Sequence, residues 1–163
     1  MNRIAIIGNS GAGKSTFAKK LGIKLNINVT HLDNLYHLSE KGIKNSSDWD
    51  NVQKRLVLGN KWIIDGNFPR TWHIRLKFAD TIIFFDFPRL LSLFRVIYRR
   101  LRYNKTNRPD MPKDVMEKLG IKDVKKLLFF PKPEVLIKTY KLKDKKIIFF
   151  KNNYQSDSFL NSL

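Results

Sequence analysis

The chain contains no cysteine. That excludes disulfides, thiolate metal sites and cysteine nucleophiles, and it suits a reducing compartment such as the cytoplasm. Histidine is almost as scarce: His31, His37 and His73 are the only three, and they show no metal-ligand spacing. No apolar run approaches the ~20 residues needed to span a bilayer, so no membrane partner is expected. The opening run Ile4-Ala5-Ile6-Ile7 is too short and too soon interrupted for a secretory signal. No Ser/Gly linker and no internal repeat divides the 163 residues. Roughly 100–200 residues make one domain, so a single soluble domain is expected.

Acidic side chains are also few, 14 against 32 basic ones, which leaves a formal net charge of +18. Such an excess raises nucleic acid as a partner. Its distribution tempers that reading. The 22 lysines are spread through the chain, whereas eight of the ten arginines fall between Arg70 and Arg108. Arginine is a planar fork that grips phosphate bidentately, and lysine is a hydrated point charge. The arginine cluster therefore reads as candidate chemistry and most of the lysine as solvated surface. No helix-turn-helix, zinc or RNA-binding signature is visible.

Hydrophobic residues make up 42% of the chain, enough for a core. Five short apolar runs read as strands: Ile4–Ile7, Val29–Leu32, Trp62–Ile64, Thr81–Phe85 and Ile147–Phe150. Most are continuous rather than alternating, as in a parallel sheet buried on both faces. Helix-length segments lie between them: Lys14–Leu25, Trp49–Leu58 with Asp48 as its cap, Pro88–Leu101, and one or two within Val115–Leu142 broken near Pro131 and Pro133. Ser156–Leu163 reads as a short closing helix. Strands alternating with helices predict an α/β fold. Ser39–Ser47 and Tyr103–Asp114 are too polar for the core and read as loops. Trp49, Trp62 and Trp72 read as core or cleft packing.

The strongest motif is Gly8-Asn9-Ser10-Gly11-Ala12-Gly13-Lys14-Ser15, with Thr16 following in the helix. It fits G-x-x-x-x-G-K-[ST] at every fixed position, with an apolar strand before it and a helix after. The glycines let successive N–H groups wrap a phosphate. Lys14 would reach the β- and γ-phosphates of ATP and Ser15 would offer its hydroxyl to Mg²⁺. The positive end of the helix points at the anion. Three carboxylates stand at strand ends, where ligands of open α/β sheets collect. Asp86 would hold Mg²⁺ or its water, or cap the next helix. Asp33 would orient an acceptor hydroxyl or bind Mg²⁺ through water, or be a turn residue. Asp65, before Gly66-Asn67, has the same alternatives. Arg95 and Arg99 are four apart and share a helix face, where they could add positive charge to a moving phosphoryl group.

These residues give the chain a family likeness. It resembles the adenylate-kinase-type P-loop kinases, and within them it is similar to the small proteins labelled DNA topology modulation proteins. The likeness covers most of residues 1–102. Asp65-Gly66-Asn67-Phe68-Pro69-Arg70-Thr71 is similar to the kinases' Asp-Gly-Phe-Pro-Arg-Thr with one extra residue, and Asp86-Phe87-Pro88 to their strand-end Asp-x-Pro. Arg95-Val96-Ile97-Tyr98-Arg99-Arg100 is similar to the Arg-x-x-x-Arg-Arg that opens their lid. The topology-modulation group adds His31-Leu32-Asp33, the string from Trp62 to Asn67, and Asp86-Phe87-Pro88-Arg89.

The resemblance implies a P-loop three-layer sandwich with a five-stranded parallel sheet and a short lid at about 101–113. It implies ATP and Mg²⁺ as cofactors, and transfer of the γ-phosphoryl group to a small-molecule or nucleotide acceptor. Asp65, Asn67 and Arg70 would face the acceptor, with Arg70 on its phosphate. Arg95 would lie by the base and Arg99 by the phosphates. Two features depart from the kinase pattern: no arginine follows Arg108, and Asn34, Tyr36 and His37 stand where the acceptor segment carries an arginine. The rival readings are a nucleic-acid-associated ATP-binding protein and a slow ATPase or nucleotide sensor.

Overall fold

The structure, a computed structural model, describes residues 1–39, 45–102 and 129–163. Five strands form one sheet: β1 Arg3–Gly8, β2 Val29–His31, β3 Trp62–Asp65, β4 Thr81–Phe85 and β5 Lys146–Phe150. Their order is β2-β3-β1-β4-β5 and every pairing is parallel. β1 lies in the middle, with Ile4, Ala5, Ile6 and Ile7 fully buried. Alternate residues of a strand point to opposite faces, so one run feeds two cores. Ala5, Ile7, Ile64 and Phe84 pack with Trp49, Trp62 and Trp72 on one side. Ile4, Ile6, Ile63 and Phe85 pack with Phe17, Leu21 and Phe150 on the other. All three tryptophans are core residues, as expected from the sequence.

Among the described residues the α-helices are α1 Lys14–Leu25, α2 Leu32–Ser39, α3 Ser46–Leu56, α4 Trp72–Phe78, α5 Arg89–Arg102, α6 Pro133–Thr139 and α7 Asn153–Asn161. The five strands and α1 match the sequence reading closely. Elsewhere the structure corrects it. α3 is capped by Asn45, not Asp48. Asp48 is the third helical residue and completes a reciprocal capping box with Asn45. β2 stops at His31, so Leu32 and Asp33 belong to the first turn of α2, a helix the sequence reading missed. It missed α4 as well. The closing helix starts three residues earlier than expected, with Asn152 accepting from the Gln155 amide. Residues 103–113 of the expected lid, 40–44 of the expected loop and 115–128 of the expected helical stretch lie outside the described residues.

Candidate active site

The loop between β1 and α1 is built by close approach. Gly8 has φ +138°, and a Cβ there would stand 2.3 Å from the Phe85 carbonyl oxygen. Gly11 has φ +79°, and its Cβ would meet the Ser92 carbonyl at 2.7 Å and Val96 Cγ2 at 3.0 Å. Only glycine meets both demands, so the loop lies flush against β4 and α5. Polar contacts then hold it. The Asn9 amide donates to the Phe85 carbonyl at 3.2 Å, and Asn9 Nδ2 donates to the Phe87 carbonyl at 3.0 Å. The Gly8 amide donates to Asn67 Oδ1 at 3.2 Å, which ties the loop to the exit of β3.

At the far end of the loop, Gly13 caps α1 without any side-chain acceptor. Amides at a helix start need acceptors, and a capping side chain would occupy the place an anion takes. Ser10 and Thr16 are exposed beside this opening, while Ala12 is buried against the core. Lys14 Nζ donates to the Asn9 carbonyl at 2.8 Å, arching back over the loop. Desolvation pulls the Lys14 pKa below its ordinary value. The Asp65 and Asp33 carboxylates oppose that pull, and the Arg99 charge adds to it. A desolvated ammonium over an uncapped helix start is suited to a phosphate.

Asp65 ends β3 and is buried. Its Oδ2 accepts from Ser15 Oγ at 2.6 Å and faces His31 Nδ1 at 2.9 Å. A carboxylate only accepts, so the His31 proton sits on Nδ1 in this pair. Asp65 Oδ1 is buried with no hydrogen-bond partner among the described residues. Asp86 directly follows β4, on the other side of β1, where its amide donates to the Phe150 carbonyl at 2.9 Å. The Ser15 hydroxyl meets Asp65. Asp33 lies exposed on the first turn of α2, and its charge acts on both Lys14 and Arg75.

The arginines divide. Arg99, on α5, acts electrostatically on Lys14. Arg95 instead lies over the Phe87 ring, 5.6 Å from its centroid, and Nη1 reaches Asn153 Oδ1 at 3.4 Å. Arg70 is held by α3. Its Nη1 donates to Asp50 Oδ2 at 2.9 Å, and its Nη2 donates to the Ser46 carbonyl at 2.9 Å and lies 2.6 Å from Asp50 Oδ1. Arg75, counted with the chemical cluster in the sequence reading, is fully buried and structural. It donates to Gln53 Oε1 at 2.5 Å, Thr71 Oγ1 at 3.2 Å, the Gly66 carbonyl at 3.0 Å and the Asn67 carbonyl at 2.5 Å. Desolvation lowers its pKa to about 9, against the opposing fields of Asp65 and Asp33. With four acceptors around it, Arg75 stays charged at neutral pH and fixes the loop that carries Asn67. The sequence signal for this role is the spacing Thr71 to Arg75, one helical turn.

Among the described residues no cluster of three or more histidine or acidic side chains could hold a metal alone. Mg²⁺ is normally held by one or two protein groups plus substrate phosphates and water. Ser15 and the unsatisfied Asp65 Oδ1 fit that demand. No helix of the described residues is long and apolar enough to cross a membrane.

No protein-family model matches the chain, and no curated protein matches its sequence. Among solved structures, the shikimate kinase of Bacteroides thetaiotaomicron is similar, with a TM-score of 0.52 and 19% sequence identity over 99% of this chain and 95% of that one. The five-stranded parallel sheet with helices on both sides is a fold the chain shares with that structure.

Proposed function

We propose that the chain binds ATP and transfers its γ-phosphoryl group, with Mg²⁺, to a hydroxyl of a small-molecule or nucleotide acceptor. The observation that carries this reading is the uncapped start of α1 beneath a glycine loop, with Lys14 arched over it and Ser15 bonded to Asp65. The amides of the loop beyond Asn9 and of the first turn of α1 hold the phosphates, those of Gly8 and Asn9 tie the loop down, and Lys14 reaches the β- and γ-groups. Ser15 and Asp65 would hold Mg²⁺, with Asp86 beyond β4 as the other carboxylate candidate. When bound, Mg²⁺ would supply charge neutralisation on the phosphates. Asp33 orients the acceptor hydroxyl and holds its proton as the new oxygen–phosphorus bond forms and ADP leaves. Arg99 adds positive charge near the transferring group, and Arg95 flanks the base.

Asn67 contributes mainly by positioning, through its bond to the Gly8 amide. Arg70 meets an acceptor phosphate by exchanging Asp50 for it. That ion pair is half-exposed, and such pairs are worth about 1 kcal/mol or less, so a phosphate dianion can displace the carboxylate.

The test is an ATP-consumption screen over nucleosides, nucleotides, sugars and small hydroxy compounds. Shikimate is included because the similar solved structure is named for it. Saturable ADP release on adding one acceptor supports the kinase reading, and Arg70→Ala raises KM only for a phosphorylated acceptor. The net charge of +18 favours one second reading, a nucleic-acid-associated ATP-binding protein, to which the topology-modulation likeness also points. Salt-sensitive DNA binding without acceptor-dependent ADP release would support that instead.

A further inference from the structure

We propose that the outer face of α5 docks a second copy of this chain, forming a two-fold dimer through antiparallel α5 helices. The inner face of α5 is spent on the phosphate loop, where Ser92 and Val96 are buried against Gly11. The outer face carries Leu90, Leu91, Phe94, Ile97, Tyr98 and Leu101, each 39–77% exposed. At roughly 200 Å² for a large apolar side chain, this patch exposes about 700 Å². The largest apolar patch on a typical monomer is only about 300–600 Å². Two such faces together bury at most about 1,400 Å², which reaches the range of roughly 1,200–2,000 Å² for a stable interface.

The spacing selects the occupant. Leu90, Phe94, Ile97 and Leu101 are separated by four, three and four residues. That is the apolar seam one helix offers another. It also reads the same in both directions. A two-fold axis therefore sets Leu90 opposite Leu101 of the second copy and Phe94 opposite its Ile97, a self-complementary contact. At the middle, the Phe94 and Tyr98 rings are already stacked, with centroids 6.4 Å apart and planes 17° apart. Aromatic anchors at the centre of a patch carry most of an interface's energy.

Charge does not forbid the pairing. Arg95 turns away to Phe87 and Asn153, and Arg99 acts on Lys14. Exposed Arg89 and Arg102 stand at opposite ends of α5, so their charges meet at the rim. There they are screened over about 8 Å at physiological salt. The dimer stands whether or not the cradle transfers phosphate.

Sedimentation velocity on the full chain, from about 1 to 100 μM and at low and high salt, decides it. The expected result is a species of twice 19.2 kDa that persists or strengthens as salt rises. Phe94→Glu and Leu90→Lys should each weaken dimerisation by about tenfold or more, with circular dichroism and ATP binding unchanged. Leu90 is the most exposed of the six, so its variant decides the matter if Phe94→Glu fails to fold. A monomer throughout that range, or a dimer that Leu90→Lys does not weaken, overturns the proposal. So does a monomer that binds anionic vesicles or DNA through this face, with binding that fades as salt rises and is lost in the variants.

Discussion

Ser15 Oγ lies 2.6 Å from Asp65 Oδ2, joining the first turn of α1 to the exit of β3. The bond crosses from the phosphate loop to the neighbouring strand, and it marks the only strand-end carboxylate that touches the loop's hydroxyl among the described residues. His31 Nδ1, at the end of β2, shares the same oxygen at 2.9 Å. Three adjacent strands or loops thus converge on one carboxylate.

If Ser15 and Asp65 hold the metal, Asp65→Asn should weaken the Mg²⁺ dependence of ATP binding by about 10–100-fold. Binding of metal-free nucleotide should change little. Calorimetric ATP titrations at several Mg²⁺ concentrations separate the two. Asp86→Asn should leave the Mg²⁺ dependence near that of the native chain, and a larger effect there than at Asp65 would give the metal role to Asp86.

Arg99→Ala should lower kcat by about 10²–10³-fold with a smaller change in KM, because charge on the moving phosphoryl group matters most in the transition state. Steady-state ADP release with the acceptor found in the screen measures it. Equal losses in kcat and in ATP affinity would assign Arg99 to ground-state binding.

Arg75→Ala should destabilise the fold by about 3–5 kcal/mol, since it leaves Gln53 and the Gly66 and Asn67 carbonyls without their donor. Urea unfolding reads the loss directly. Arg75→Lys should recover only part of it, because one ammonium cannot span acceptors on both sides of the guanidinium.

Asp80 should make stability fall at acid pH. Desolvation works to raise its pKa, but bonds from the Arg3 amide, the Thr81 hydroxyl and the Asn2 amide, with the N-terminal charge, outweigh it and hold the carboxyl below 3.8. A depressed carboxylate contributes stability that is present above its unfolded pKa and lost as pH falls through its folded one. Asp80→Asn should therefore be less stable at pH 7 and lose less between about pH 4 and pH 2. Thermal melts across that interval would show parallel curves if Asp80 contributed nothing.

The parts of the fold readable from sequence are those with strong one-dimensional signals. β1 and β4 are unbroken apolar runs because both faces of a central parallel strand are buried. The phosphate loop is readable because its backbone admits only glycine at fixed positions. α2 is hidden because it follows a three-residue, half-buried β2 with no intervening turn. α4 is hidden because seven residues are too few to show a period, and it follows Phe68, whose left-handed φ of 37° has no composition signal. Asn45 and Asp48 are both good cap residues, and only the reciprocal bonds tell the cap from its partner. Asp65 ends β3 and Asp86 directly follows β4, and the sheet order decides which one the hydroxyl of Ser15 meets. Arg70 and Arg75 are alike in sequence, yet one lies at the surface beside Asp50 and the other is sealed under the site.

The most direct test is a calorimetric titration of Mg²⁺-ATP into the native chain and into Lys14→Ala. The account requires saturable one-to-one binding by the native chain, and a loss of about tenfold or more when the ammonium over the loop is removed. Native and Lys14→Ala chains that bind ATP with the same affinity, or a native chain that does not bind it, would contradict the assignment of this loop as a phosphate cradle.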